Sequence, residues 1–180
     1  MPNSNTTIIL AEGDGTAELS SLEAARVYAD AMLRAALECC HQHDRYARLV
    51  AGPALEAEHR AADEMCVVVT NALIGVADAY CEAAKELRPK GSPDEEWWYR
   101  ANALWHASRE YGRRQTCCER QSRRATSSKN GAKGGTRAAA AKRGPDGLGD
   151  LVLQYDLEAS ALLALRQAAD AYQKTRPQAA

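Results

Sequence analysis

The feature that most constrains this chain is a recurring step of three and four residues between small or apolar side chains, interrupted at proline and glycine. Leu22, Ala25, Ala29, Met32, Ala36, Cys39, His43, Tyr46 and Val50 form one such seam. Leu55, His59, Ala62, Cys66, Val69, Leu73, Val76, Tyr80, Ala83 and Leu87 form a second. This spacing places each set on one face of an α-helix. Gly52-Pro53 separates the two and predicts a hairpin between antiparallel helices.

Helix starts are also readable. Ser20-Ser21-Leu22-Glu23 is a capping box before the first seam. Ser92-Pro93-Asp94-Glu95 predicts an N-cap serine, proline at the first helical position and acids against the helix dipole. The third helix then presents Trp97, Ala101, Leu104, Ser108 and Tyr111 inward, and its apolar stripe fades from Thr116. A fourth helix is expected from about Leu148 to Gln173, with Leu151, Tyr155, Glu158, Leu162, Leu165, Ala169 and Tyr172 on its seam. Around Val67-Val68-Val69 the second helix is apolar on all sides, which predicts its most buried turn.

The chain has 36 alanines and no phenylalanine, so its core must be built from small aliphatic side chains, tyrosine and tryptophan. Alanine favours helix and close helix packing. The expectation is an all-α fold: an up-down four-helix bundle over residues 18–180 as one domain, behind a flexible tail at 1–17. A basic, glycine-rich loop or arm over about 125–147 precedes the last helix. The N-terminus lacks a signal-peptide pattern, and the most apolar window, Met65 to Ala79, is interrupted by Thr70, Asn71 and Asp78. The six cysteines include two adjacent pairs in helical context. These features predict a cytoplasmic protein with reduced thiols and no membrane span.

A net charge of −1 hides a segregation. From Arg109 to Arg143 there are eleven Lys/Arg and two Asp/Glu, while the remainder carries an acidic excess. Arg109, Arg113, Arg120 and Arg124 fall within a sector of roughly 60° on the third helix. Trp98 and Trp105 lie near that sector, with Trp105 spaced to stack on Arg109. Lys129, Lys133, Arg137, Lys142 and Arg143 extend the positive charge. The pattern suits a polyanion, nucleic acid bound without sequence preference, and equally an acidic protein surface or acidic neighbours within the fold. Binding rather than catalysis is the expected role.

Other constellations compete. If the first hairpin closes at Gly52-Pro53, Cys39 faces Cys66 and His43 lies near His59. That arrangement suggests a zinc-like metal site or a redox centre drawn from Cys39, His43, His59 and Cys66. His59 and Cys66 lie seven residues apart, roughly 10.5 Å along the axis, so three of the four with water or Glu158 would fit one ion better than all four. Glu38-Cys39-Cys40-His41 and Glu56-Ala57-Glu58-His59 each have the Glu-x-x-His spacing of di-iron bundles, although His41 falls off its seam. Cys117 lies beside Arg113, Arg114 and Arg120, a setting for a redox-sensitive thiol.

Arg100-Ala101-Asn102-Ala103-Leu104-Trp105-His106 resembles the Arg-x-x-x-x-x-His motif of helical-bundle ribonucleases of the HEPN class. The resemblance covers seven residues of one helix. A polar residue usually follows the arginine in that family, whereas here it is Ala101. The resemblance implies that Arg100 and His106 act together on RNA.

Overall fold

A computed structural model describes residues 20–53, 55–87, 90–92, 94–131 and 146–175, with side chains described for these except at 120–152. The described chain is all-α. Its helices are α1 (Ser21–Val50), α2 (Glu56–Ala84), α3 (Glu95–Gly131) and α4 (Asp146–Thr175). The expected tail at 1–17 lies outside the described residues, as do Lys133, Arg137, Lys142 and Arg143.

Local chemistry sets the starts. Ser20 caps α1: its hydroxyl accepts from the Glu23 N–H at 3.3 Å, and the Glu23 carboxylate accepts from the Ser20 N–H at 2.9 Å. The Ser20 N–H and the Ser20 O–H, which donates to the same carboxylate at 2.8 Å, hold the Glu23 carboxyl below its ordinary range. At α2 the Glu58 carboxylate performs half of this exchange by accepting from the Leu55 N–H at 3.0 Å. The third helix begins at Glu95, slightly later than the Ser-Pro signal predicts, and Ser92 Oγ accepts from the Asp94 N–H. Gly91 supplies the positive φ of 72° that the preceding turn needs.

The helices pack as two antiparallel hairpins, α1 with α2 and α3 with α4, set side by side so that α2 meets α3 and α1 meets α4. Alanines 24, 25, 29 and 36 of α1 are buried, which lets α2 approach closely. The shared core then fills with Met32, Leu73, Tyr80, Leu104, Tyr111, Leu165 and Tyr172. Gly112 marks a close approach of α3 to α2: a Cβ there would lie 2.6 Å from Ile74 Cδ1.

Three sequence expectations change. Val68 is 60% exposed and Val67 and Val69 are only half-buried, so the apolar turn of α2 is not its most buried one. The reason is geometric: α2 has neighbours on one side only, and an all-round apolar helix must leave one face outward. The same helix is long and apolar enough to cross a membrane by length and composition, with a window of mean hydropathy 1.4. Its inner face is nonetheless committed to the bundle. Finally, helix continues through Ala125–Gly131, where the sequence predicts a loose arm. An established helix propagates through Ala, Ser and Lys at small cost, and α3 is long enough to carry them.

Candidate functional site

The two ends of the bundle handle polar groups differently. At the end where α1 and α3 begin, Trp97 Nε1 donates to the Tyr172 hydroxyl at 3.1 Å. Tyr172 in turn donates to Asp30 Oδ1 at 3.0 Å. Arg26 sits 5.7 Å above the Trp97 ring and pairs with Asp94. Every bond here ties one helix to another, so the network is structural.

At the opposite end the same four helices surround a cavity of about 230 Å³, lined among others by His43, Cys66, Gln115, Cys118, Tyr155 and Glu158. His43 projects from α1 and packs edge-on against Tyr111, with the Tyr111 hydroxyl 3.0 Å from Nδ1. Its Nε2 lies 3.8 Å from Glu158 Oε1 on α4. The carboxylate side favours a proton on Nε2, which leaves Nδ1 to accept from the tyrosine O–H. Burial raises the Tyr111 pKa, so that donor keeps its proton. His43, bonded to Tyr111 on one side, thus faces Glu158 across the wall of the cavity.

The thiols around it are quiescent. Burial, helped by the Asp63 and Glu158 charges, pushes Cys66 up to about 11. Burial and Glu158 push Cys118 to about 12, and burial drives Cys39 to about 12. A thiolate is the nucleophile and metal ligand, so these groups are protonated and unreactive at neutral pH.

The structure does not bring the four seam residues Cys39, His43, His59 and Cys66 to one point. His43 and Cys66 share the cavity. Cys39 is buried in the core. His59 Nε2 bonds the Leu49 carbonyl at 3.0 Å and so braces the α1–α2 turn. Among the described residues, no three His, Cys, Asp or Glu side chains converge as metal ligands. The di-iron spacing disperses as well. Glu38 accepts from Gln42 at 2.6 Å on the surface, Glu56 pairs with Arg60 at 3.1 Å, and His41 is exposed.

The basic row divides at the edge of the bundle. Arg109 pairs with Asp78 of α2. Arg113 forks onto Glu110 at 2.9 and 3.0 Å, and Arg114 reaches the same carboxylate at 2.7 Å. These guanidinium groups hold the Glu110 carboxyl below its usual range against the opposing effect of desolvation. Trp98 and Trp105 are half-buried against the core, and each indole N–H is buried without a partner. Trp105 contacts the His106 ring, centroids 4.5 Å apart. Arg120, Arg124 and Lys129 ride on the α3 backbone, with their side chains outside the described set. Arg100 is exposed and 3.8 Å from Glu96, while His106 joins Arg109 and Arg113 along a different, open groove. The two residues of the Arg-x-x-x-x-x-His motif therefore do not line a common site.

Sequence reasoning missed Gln115 and Cys118 as inward residues. The signal was present: they extend the series Leu104, Ser108, Tyr111 in steps of four and three. Polar character hid it, because an apolar stripe was the criterion. No family model, no curated protein and no solved structure matches this chain.

Proposed function

We propose that the protein binds a polyanion through the far end of α3, and that the polyanion is nucleic acid held without sequence preference. The observation that carries this reading is the excess of cations in the sequence beyond the arginines that are paired. Arg109, Arg113 and Arg114 all have acidic partners within the fold. From Arg120 to Arg143 the sequence holds eight Lys/Arg and no Asp/Glu. His43 of α1 is level with Tyr111 of α3. The end of α1 at Val50 is therefore level with about Cys118, and α3 runs on for roughly 20 Å at 1.5 Å per residue. Over that length α4, which begins at Asp146 and runs antiparallel to α3, contributes Asp146 and Asp150 against Arg120, Arg123, Arg124 and Lys129 of α3. The surplus cations offer themselves to phosphates, and each such ion pair releases counterions.

Binding to labelled single- and double-stranded oligonucleotides of mixed sequence, across a salt series, tests the reading. Affinity should fall steeply with salt, with little difference among sequences. Joint replacement of Arg120, Arg123, Arg124 and Lys129 by Gln should flatten the log–log salt dependence by about 0.7–0.9 for each phosphate left without its cation. Arg113→Gln should change it little, because that guanidinium is already paired. Absence of binding at low salt, or an equal flattening from Arg113→Gln, refutes the proposal.

A further inference from the structure

The outward face of α2 carries an apolar stripe that the other described helices leave exposed. Ala61, Met65, Val68, Ala72, Gly75 and Ala79 follow one another in steps of three and four. Met65 is 42% and Val68 60% exposed. Gly75 sits in the helix interior, where glycine costs on the order of 1 kcal/mol relative to alanine. Among the described residues a Cβ there would meet nothing within 4 Å, so the described fold gives no reason for it. Close approach by another backbone would give one.

The polar residues bordering this stripe indicate what approaches. On a helical projection Arg60, Glu64, Asn71, Asp78 and Glu82 all lie along one edge, and Met65, Ala72 and Ala79 along the other. A two-fold axis perpendicular to the helix brings like edges together in an antiparallel pair. Residues whose numbers sum to near 143 then stand opposite each other. Val68 meets the second copy's Gly75, and Met65 meets its Ala79, large on small at each crossing. Arg60 meets Glu82 at both ends, and Asn71 meets its own copy at the axis. Glu64 falls beside Asp78, whose charge Arg109 already offsets. In the single chain Arg60 and Glu82 pair within their own helix, on exposed Glu56 at 3.1 Å and exposed Lys85 at 3.8 Å. A parallel pair would instead set the acidic edge against the apolar one, and a lipid surface would bury three acids. We infer that α2 is a self-complementary interface on which a second copy of this chain docks antiparallel.

Sedimentation equilibrium of the full chain over a wide concentration range tests the interface. The wild type should fit a monomer–dimer equilibrium. Gly75→Leu, which the single chain has room to hold, should weaken association by tenfold or more, about 1.4 kcal/mol, with helical content unchanged by circular dichroism. If that variant misfolds, Val68→Lys at the same exposed face serves in its place. Arg60→Glu and Glu82→Arg should each weaken the dimer, and their combination should restore it. A wild type that stays monomeric at its highest soluble concentration overturns the inference. So does a dimer indifferent to Gly75→Leu, a double charge swap that fails to rescue, or uptake of the monomer by neutral phosphatidylcholine vesicles in place of dimerisation.

Discussion

The two ends of this bundle use the same four helices and nearly the same register, yet one is closed and the other is not. At the Trp97 end a chain of bonds runs across helices, indole to tyrosine and tyrosine to aspartate, although the Trp98 indole N–H and the Tyr80 hydroxyl beside it make none. At the His43 end the side chains are too polar or too short to fill the space. Gln115, Cys118 and Glu158 leave a cavity onto which the His43–Glu158 pair opens. One end ties Trp97, Tyr172 and Asp30 into a chain of hydrogen bonds. The other keeps its thiols neutral by burying them. The difference teaches that polar burial here has two meanings, and only the second leaves groups free to respond to solvent.

Alkaline pH should break the comparison most strongly. Cys66 rises from 9.0 to about 11 and Cys118 from 9.0 to about 12 on folding. Their contribution is therefore fully present below pH 9 and is lost as pH climbs through the folded values, because the unfolded chain releases those protons first. By pH 11 the loss is on the order of 2 kcal/mol per thiol as an upper bound. Urea midpoints at pH 8, 10 and 11 should fall, and the fall should be shallower in Cys66→Ala. An unchanged slope in that variant would detach the effect from the cavity end.

A smaller effect is expected at the closed end. Tyr172→Phe strands the Trp97 indole N–H and removes the donor to Asp30. It should cost about 1–3 kcal/mol, read as a lower urea midpoint. Equal stability would mean that the network is decorative. The smallest effect sharpens the same point. The Tyr80 hydroxyl is buried without a partner. Tyr80→Phe removes a desolvated group that makes no bond and should leave stability within about 0.5 kcal/mol of wild type, or raise it.

Much of the fold was legible in advance. The capping box at Ser20, the break at Gly52-Pro53 and the seams of α1 and α2 depend on neighbours in sequence, so local rules find them. The end of α3 was less legible, since a helix already nucleated carries residues that would not start one. The site was legible in parts. His43, Cys66 and Glu158 were visible as seam residues, and all three reach the cavity. Cys39 and His59 were equally visible and reach elsewhere. A seam fixes the face on which a side chain sits, but not which neighbour stands at its height.

By itself, then, the sequence determined the all-α class, the hairpin of α1 and α2, and the separation of acidic bundle from basic end. These follow from periodicity, capping and charge, which act within a few residues or by simple summation. Tertiary structure alone decided that Arg109 is already paired with Asp78 of α2, that Val68 faces outward, and that His43 meets Tyr111 and Glu158. Each of these depends on the rotation and height of one helix against another, quantities set by how small side chains let the backbones approach.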